Sequence, residues 1–210
     1  MIMVKMIQTS ALILLFTLSF TAKNFGQVEF KIEMLSDSLT YLVFMKPNAT
    51  WNPPMNITSS AQVTIKAPTG GFTISNVTPI VPTTSWVHNA TYVAPIEEPT
   101  HDYFSIGMTS LGTSAFTYQS GVEIPIFTFE NSGICTGLVE LMEVGDPFTP
   151  PNSQNGNVGN QITILGAGSG NAWTGNYGQG QADCGGNVPP PTCTIDNVTV
   201  SNITDCGAND

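Results

Sequence analysis

Short segments in which apolar and polar residues alternate are the feature that most constrains the fold of this chain. In the clearest of them, Val28–Met34, apolar side chains occupy every second position and Glu or Lys residues stand between them. Successive side chains of a strand point to opposite faces, so this pattern predicts a half-buried β-strand. No stretch before Cys184 keeps apolar residues at helical spacing together with capping signals. About ten such segments separated by turn residues predict an all-β, antiparallel β-sandwich.

Turn residues suggest which segments pair. Leu39–Met45 follows Val28–Met34 after a short turn and is its expected hairpin partner. Ala61–Ala67 alternates in the same way, and the turn Pro68–Gly71 predicts that Phe72–Val77 returns beside it. Further strands are expected at Trp86–Val93, Tyr103–Met108 and Gln161–Leu165, with Gln161–Leu165 as the last strand of the sandwich.

The segment Ser120–Val144 is expected to form the centre of the core. The apolar residues of Val122–Phe129 leave neither face clearly polar, which is typical of a strand inside a packed sandwich. A tight Asn131-Ser132-Gly133 connection then predicts a partner strand within Gly137–Val144. The apolar positions of this partner also fit one face of a two-turn helix, but its length and its neighbours favour a strand.

Residues 1–26 have the form of a cleavable secretory signal helix, with Lys5 ahead of the apolar run Ala11–Phe20. The run is shorter than the roughly 20 residues that span a bilayer, so no transmembrane segment is predicted. The sandwich domain is assigned to residues 27–166, and a Gly/Asn/Pro-rich tail and linker to residues 167–192. Residues 193–210 alternate again and are predicted to be the truncated start of a second β repeat.

The charge of the chain limits its partners. The formal net charge is −10, and removal of Lys5 and Lys23 with the signal leaves three lysines against fifteen carboxylates, or −12. Such a surface repels phosphate groups, which argues against nucleic acid and anionic membranes as partners. The charged fraction is only 10%, and Thr, Ser, Asn and Gly are abundant. This composition favours a secreted or cell-surface protein whose partner is an extracellular protein or polysaccharide.

The four cysteines, Cys135, Cys184, Cys193 and Cys206, fit an exported chain in which thiols are oxidised. Four cysteines allow three pairings. Because the proline run Pro189–Pro191 separates two units, the bonds Cys135–Cys184 and Cys193–Cys206 are favoured. A bond between Cys184 and Cys193 across the linker remains the alternative.

Two stretches resemble the cohesin-type β-sandwich. Ala61-Gln62-Val63-Thr64-Ile65 is followed by Pro68 and Phe72, and Ser120-Gly121-Val122 leads into Ile126-Phe127-Thr128-Phe129. The resemblance covers roughly residues 27–166 and implies a jelly-roll fold with a non-catalytic role in adhesion or scaffolding, as in cohesin-like modules of large bacterial surface proteins. The cysteine-containing segment 193–210 resembles the opening of a tandem adhesin repeat. Dockerin binding is not implied, because no recognition residues match.

Two glycine-containing motifs are similar to active-site motifs but lack the rest of the site. Gly133–Gly137 has the G-x-C-x-G form of a nucleophile elbow, yet both histidines precede Cys135, whereas such hydrolases place the histidine after the nucleophile. Gly166–Gly170 follows a strand as a dinucleotide-binding loop does, but residues 171–181 cannot supply the required helix. No catalytic residue is therefore predicted.

Two polar clusters are candidates for metal binding. The first is an acidic loop made of Glu97, Glu98, His101 and Asp102. Pro99 and the spacing of the histidines do not fit zinc, so a solvated loop is favoured there. The second is rich in side-chain oxygen atoms and consists of Glu143, Asp146, Asn152, Asn155 and Asn157. Hard oxygen ligands suit Ca²⁺, but carboxylates are few, so no cofactor is expected and Ca²⁺ is the alternative.

Three aromatic residues in predicted loops are candidates for a sugar-binding platform: Trp51, Trp173 and Tyr177. Aromatic faces exposed in loops can stack on sugar rings. The alternative is that these side chains cap the ends of the sandwich.

Asn-x-Thr sequons recur along the chain, at Asn48, Asn56, Asn76, Asn89, Asn197 and Asn202. They fit a glycosylated eukaryotic protein, and they also follow from threonine on exposed strand faces. The resemblance to modules of bacterial surface proteins favours the second explanation.

These patterns predict an extracellular interaction module without catalytic residues, and the resemblance implies that it belongs to a cell-surface adhesin or scaffold protein. The alternative is a carbohydrate-binding module that accompanies a secreted polysaccharide-degrading enzyme.

Overall fold

The computed structural model describes residues 27–178 and 182–185. Three predictions therefore lie outside the described residues. They are the signal peptide at residues 1–26, the Cys193–Cys206 bond, and the second β repeat at residues 193–210.

The described residues form ten strands in two sheets that pack together, which confirms the predicted all-β sandwich. The strands are β1 (Val28–Met34), β2 (Thr40–Pro47), β3 (Thr58–Pro68), β4 (Ile74–Pro79), β5 (Trp86–Tyr92), β6 (His101–Met108), β7 (Ile124–Asn131), β8 (Glu140–Leu141), β9 (Gln161–Ile164) and β10 (Trp173–Asn176). A 3-10 turn at Leu165–Ala167 is the one helical element within these ranges. Nothing helical between residues 27 and 178 or in 182–185 has the length and apolar character needed to cross a membrane.

The first sheet has the strand order β10-β1-β2-β7-β4, and its β1–β2 hairpin is the one that the sequence predicts. The register of this pair is uninterrupted along the whole of β1. Asp37 holds the turn, because its carboxylate accepts hydrogen bonds from the backbone N–H groups of Leu39 and Thr40. A local side chain thus fixes the pairing.

The second sheet has the order β5-β6-β3-β8, and β9 also pairs with β3. β6 runs along one side of β3, while β9 and β8 share the other side. β3 is therefore the strand on which the second sheet is assembled.

The predicted hairpin between Ala61–Ala67 and Phe72–Val77 is wrong, because the chain crosses from the second sheet to the first at this turn. Gly70 and Gly71 have positive φ angles of 148° and 108°. β4 then pairs with β7 rather than with β3. Phe72 enters the core between the sheets, where it is 4% exposed, so burial of this ring accompanies the change of sheet.

The segment Ser120–Val144 also divides between the sheets, so the hairpin predicted there is wrong. β7 lies in the first sheet, and β8 lies beside β3 in the second. Asn131 organises the crossing, since its Oδ1 accepts a hydrogen bond from the Gly133 N–H and its Nδ2 donates to the Ile134 carbonyl. A Cβ atom on Gly133 would lie 2.0 Å from the carbonyl oxygen of Gly71, so this crossing requires glycine.

The core lies between the two sheets and is rich in aromatic rings. Tyr41 of β2 stacks on Phe129 of β7 with 5.0 Å between ring centroids, and Trp86 of β5 packs on Phe127 at 4.7 Å. The inward positions of β1 and β2 are those that alternation predicts. Val122, which the sequence places in the same core, is 45% exposed and precedes β7.

The Gly/Asn-rich tail supplies a strand that the sequence does not reveal. β10 pairs in parallel with β1, and the backbone N–H of Tyr177 donates to the carbonyl of Phe30 at 2.9 Å. The prediction that Gln161–Leu165 is the last strand is therefore wrong. β10 has no apolar alternation that would mark it as a strand. It pairs through main-chain N–H and C=O groups, which almost every residue carries.

The edge strands β4 and β5 both carry irregularities. The β4–β7 register shifts between Ser75 and Thr78, where Asn76 has a positive φ of 49°. The β5–β6 register shifts between His88 and Ala90. Bulges of this kind protect a sheet edge from pairing with another chain. Addition of a partner's strand at either edge is therefore disfavoured.

Candidate functional site

Trp51, the first of the three predicted platform residues, belongs to the core. It is 7% exposed, and its ring meets the Tyr118 ring edge-on at a centroid distance of 5.2 Å. The Trp51 N–H donates to the Tyr118 carbonyl, which fixes the two residues side by side. The chain at Gly166 packs so closely that a Cβ atom there would lie 2.3 Å from Cδ1 of the indole. Trp51 therefore offers almost no surface to a ligand.

Tyr177 follows β10 and packs against two lysines of the first sheet. Nζ of Lys46 lies 3.6 Å from the Tyr177 ring centroid, and Nζ of Lys31 lies 5.4 Å from it. Both distances are typical of cation–π contacts. Burial, together with the nearby Glu123 carboxylate, raises the pKa of the Tyr177 hydroxyl above its usual value. Much of this ring is thus occupied by the protein itself.

Lys31 is the centre of the same cluster on β1 and β2. It is 8% exposed, and its Nζ lies 2.8 Å from Glu33 Oε1 and 2.9 Å from Glu123 Oε1. Burial by itself lowers the pKa of Lys31, but the hydrogen bonds and charges of Glu33 and Glu123 outweigh it and raise that pKa overall. Lys46 is paired with Glu29 at 3.3 Å. The lysine charges here are balanced within the cluster.

Trp173 is the predicted platform residue that lines a groove. The groove lies between β3, the long β8–β9 connection and the start of β10, and its volume is about 310 Å³. Trp173 is half-buried, and its indole Nε1–H donates to Oδ1 of Asn176 at 3.2 Å. The lining is rich in amide side chains, namely Gln62, Asn157, Asn160, Gln161 and Asn171.

The β8–β9 connection, which the sequence predicts as a long polar loop, is anchored by an apolar cluster of its own. Tyr103, Met142, Phe148 and Val158 are buried together, and Tyr92 packs against them. The rings of Tyr103 and Phe148 have centroids 4.9 Å apart. This cluster makes the connection an ordered wall of the groove.

Asp146 fixes the beginning of that wall. Its Oδ1 accepts hydrogen bonds from the Tyr103 hydroxyl at 2.8 Å and from the Phe148 N–H at 2.9 Å, and its Oδ2 lies 3.2 Å from Nζ of Lys66. Burial and the hydrogen bond to Asp146 raise the pKa of Tyr103 above its usual value. Both carboxylate oxygens are thus used by the protein.

Asparagine side chains hold the opposite wall. Asn160 is 3% exposed; its Oδ1 accepts from the Thr64 N–H at 2.7 Å and its Nδ2 donates to the Met142 carbonyl at 2.7 Å. Oδ1 of Asn171 accepts from the Trp173 N–H at 3.0 Å, which fixes the start of β10. Side chains locked in this way need little reorganisation when a ligand arrives.

The groove carries little charge. Glu143 is the one ionisable side chain among its described lining residues. The three lysines of the described ranges are engaged in ion pairs: Lys31 and Lys46 with glutamates, and Lys66 with Asp146. Anions therefore have no cationic partner among these lining residues. Apart from Glu143, the lining offers uncharged hydrogen-bonding groups and one aromatic ring.

Cys135 and Cys184 form a disulfide bond across a sequence separation of 49, as predicted. The bond excludes the Cys184–Cys193 alternative and the nucleophile reading of Cys135. It ties residues 182–185 to the β7–β8 connection, where the Val139 N–H donates to the carbonyl of the fully buried Ala182 at 3.0 Å.

The acidic cluster of the β5–β6 loop braces other loops. Glu97 accepts hydrogen bonds from the backbone N–H and the hydroxyl of Ser153, which outweigh its desolvation and lower its pKa. Glu98 lies 3.0 Å from Nδ1 of His101. Asp102 is 4% exposed and accepts from the Ala94 N–H. These groups have structural partners.

Two members of the oxygen-rich set considered for Ca²⁺ are also used internally. Asp146 is surrounded by protein donors, and Asn152 donates to the carbonyls of Phe148 and Gly156. Within residues 27–178 and 182–185, no group of three or more His, Cys, Asp or Glu residues is arranged to hold a metal ion.

The sequence does not mark Gln62, Asn160 or Asn171 as site residues. Gln62 stands on the polar face of an alternating strand, where a glutamine is ordinary, and both asparagines lie in turn-rich segments, where this residue is common. They meet only because β9 pairs with β3. Comparison of the chain with protein-family models, curated proteins and solved structures gave no match.

Proposed function

We propose that this chain is a non-catalytic extracellular interaction module of a cell-surface adhesin or scaffold protein. The observation that carries the proposal is the Cys135–Cys184 disulfide within the sandwich, because such bonds persist mainly in oxidising compartments outside the cytosol. The bulges of β4 and β5 disfavour strand addition at those two edges, which supports recognition through loops and sheet faces there.

Expression of the whole chain in a secreting host tests the location. We expect the protein in the medium, cleaved near residue 26, with Cys135 and Cys184 joined in a peptide map. Retention in the cytosol with both thiols reduced would contradict the proposal. A single substitution that weakens the apolar run, Leu15→Arg, is the control, because it should block export without altering the sandwich.

The proposed adhesin context draws on the resemblance to cohesin-like modules. Reading the gene beyond the codon for Asp210 tests it. Tandem β repeats and a sorting domain would support an adhesin or scaffold, whereas a polysaccharide-degrading catalytic domain would favour the second candidate.

The second candidate is a carbohydrate-binding module. It is favoured by the position of Trp173, an aromatic residue predicted from the sequence as a platform, on the wall of an amide-lined groove. Screening the secreted protein on an array of polysaccharides and oligosaccharides separates the candidates. Glycan binding that depends on Trp173 would promote the second, and its absence would leave the first.

A further inference from the structure

The hydrogen bonds of Gln62 determine which atom of its side chain is left for a ligand in the groove. Gln62 is 7% exposed, and its Nε2 donates to the carbonyls of Asn157 at 3.2 Å and Gly159 at 3.1 Å. An amide NH₂ has two hydrogens, so both are used. The group is therefore held in one orientation, and its carbonyl oxygen Oε1 is what it can offer to a ligand.

Asn171 presents the complementary group. Its Oδ1 accepts from the N–H groups of Ile162 and Trp173, and its Nδ2 donates one hydrogen bond to the Asn160 carbonyl. One N–H of Nδ2 remains. Asn171 thus adds an oriented donor to a groove in which Gln62 provides an oriented acceptor.

The β3–β9 ladder brings these two amides to the same place. Gln62 lies opposite Gln161 in that ladder, and Asn171 is hydrogen-bonded to the residues on either side of Gln161. Trp173 follows Asn171 by two positions and lines the same groove. A donor, an acceptor and an aromatic ring are therefore presented together on a fixed frame.

We propose that this groove binds an uncharged saccharide, with Trp173 against the apolar face of a sugar ring and with Gln62 Oε1 and Asn171 Nδ2 bonded to its hydroxyl groups. A hydroxyl group both donates and accepts, which matches the amide pair. A ring with C–H faces suits the indole. The absence of any lysine or histidine from the described lining excludes a phosphate or sulfate group as the main determinant. The inference rests on the carbohydrate-binding candidate and specifies its site and its ligand class.

The test uses the full secreted chain and hexasaccharides of glucose, xylose and mannose, with polygalacturonate and heparin as anionic probes. We expect binding to at least one neutral hexasaccharide. Trp173→Ala should weaken it by about tenfold or more, as expected for removal of an aromatic anchor, and Trp173→Phe should weaken it less. In ¹⁵N spectra the side-chain amide signals of Gln62 and Asn171 should shift on titration.

One blocking variant and two controls separate the site from the fold. Tyr177→Ala removes the other half-buried candidate ring outside the groove and should leave affinity unchanged. Val144→Arg adds a bulky side chain to the groove lining at a position 67% exposed, and it should weaken binding. Ile96→Arg makes the same change at a position 81% exposed outside the groove and should have no effect. The thermal midpoint of each variant shows that it is folded.

The outcomes are distinguishable. If the unmodified chain binds no glycan, the carbohydrate-binding candidate fails together with this site. If it binds a neutral glycan that Trp173→Ala and Val144→Arg leave unaffected, the carbohydrate function stands and the site assignment is overturned. Binding confined to heparin or polygalacturonate overturns the ligand class.

Discussion

The hydroxyl group of Tyr103 donates a 2.8 Å hydrogen bond to Oδ1 of Asp146, a carboxylate whose side chain is 3% exposed and whose other oxygen faces Lys66. Asp146→Ala removes the hydrogen-bond partner of the buried Tyr103 hydroxyl and the ion-pair partner of Lys66 at the same time. We expect it to lower the free energy of unfolding by about 3 kcal/mol in urea titrations. Lys66→Met leaves the hydrogen bond between Tyr103 and Asp146 intact, so it should lower the free energy of unfolding by less than Asp146→Ala does. Equal losses for the two variants would contradict this account.

The disulfide is expected to contribute a large share of the stability. Closing a loop with a sequence separation of 49 stabilises by about 4 kcal/mol in the chain-entropy treatment. The double substitution Cys135→Ala with Cys184→Ala should therefore lower the thermal midpoint strongly. The same double substitution at Cys193 and Cys206 is the matched control. We expect it to lower the thermal midpoint of the sandwich by less. An unchanged midpoint after removal of Cys135 and Cys184 would contradict it.

Gly166→Ala should destabilise the protein by about 3 kcal/mol. The new methyl group would lie 2.3 Å from the Trp51 ring, which is 7% exposed, and 2.8 Å from the carbonyl oxygen of Met55, which accepts a hydrogen bond from the Gly166 N–H. Relief of these contacts requires the buried ring or the backbone to shift. Gly112→Ala is the comparison for backbone strain without a steric clash, since φ there is +69° and a Cβ would meet nothing within 4 Å. We expect it to cost about 1 kcal/mol. Urea unfolding of both variants measures the difference.

Tyr41 should make the stability depend on pH in alkaline solution. Burial, with a contribution from Asp183, raises the pKa of Tyr41 to about 12, above its ordinary value of 10.0. The folded state therefore holds this proton more tightly, so the stability from Tyr41 is complete below pH 10 and is lost as the pH rises towards 12. At pH 11 the loss is about 1.4 kcal/mol.

Tyr41→Phe provides the matching measurement. The Tyr41 hydroxyl has no hydrogen-bond partner among the described residues, so its removal should not lower stability at pH 7. Between pH 9 and pH 11 the variant should lose less stability than the unmodified protein. If the free energy of unfolding falls equally with pH in the two proteins, Tyr41 does not govern the pH dependence of stability in this range.

Two sequons with the same sequence pattern should behave differently. Asn56 is 4% exposed and its Nδ2 donates to the carbonyls of Ser114 and Phe116, both at 3.0 Å, whereas Asn89 is exposed. Asn56→Ala should cost about 2 kcal/mol because two carbonyls lose their donor, and Asn89→Ala should cost less than about 0.5 kcal/mol. Folded protein from a glycosylating host should carry no glycan on Asn56. A glycan mapped to Asn56 would contradict the observed packing.

Local patterns predict the strands of this fold better than their pairing. The β1–β2 hairpin is predictable because its turn is short and Asp37 holds it with bonds to neighbouring residues. The crossing after β3 is not, because Gly70 and Gly71 fit a hairpin turn equally well. What decides it is the burial of Phe72 beside Tyr41 and Phe104, which is a long-range contact.

The same distinction applies to the candidate site. Trp173 could be singled out because it is an aromatic residue in a predicted loop, yet Trp51 satisfied the same argument and is buried. Gln62 and Asn171 become candidate site residues only because β9 pairs with β3 and brings them to the same groove. No spacing in the sequence encodes that pairing.

The bond between Cys135 and Cys184 encloses β8, β9, β10 and the wall of the groove within one covalent ring. A single peptide cleavage inside this ring leaves both fragments attached through sulfur. Nicked molecules would migrate as one species in a non-reducing gel and separate only when a reductant is added. If the module is exported as proposed, this ring would keep a domain that has been cut once in one covalent piece.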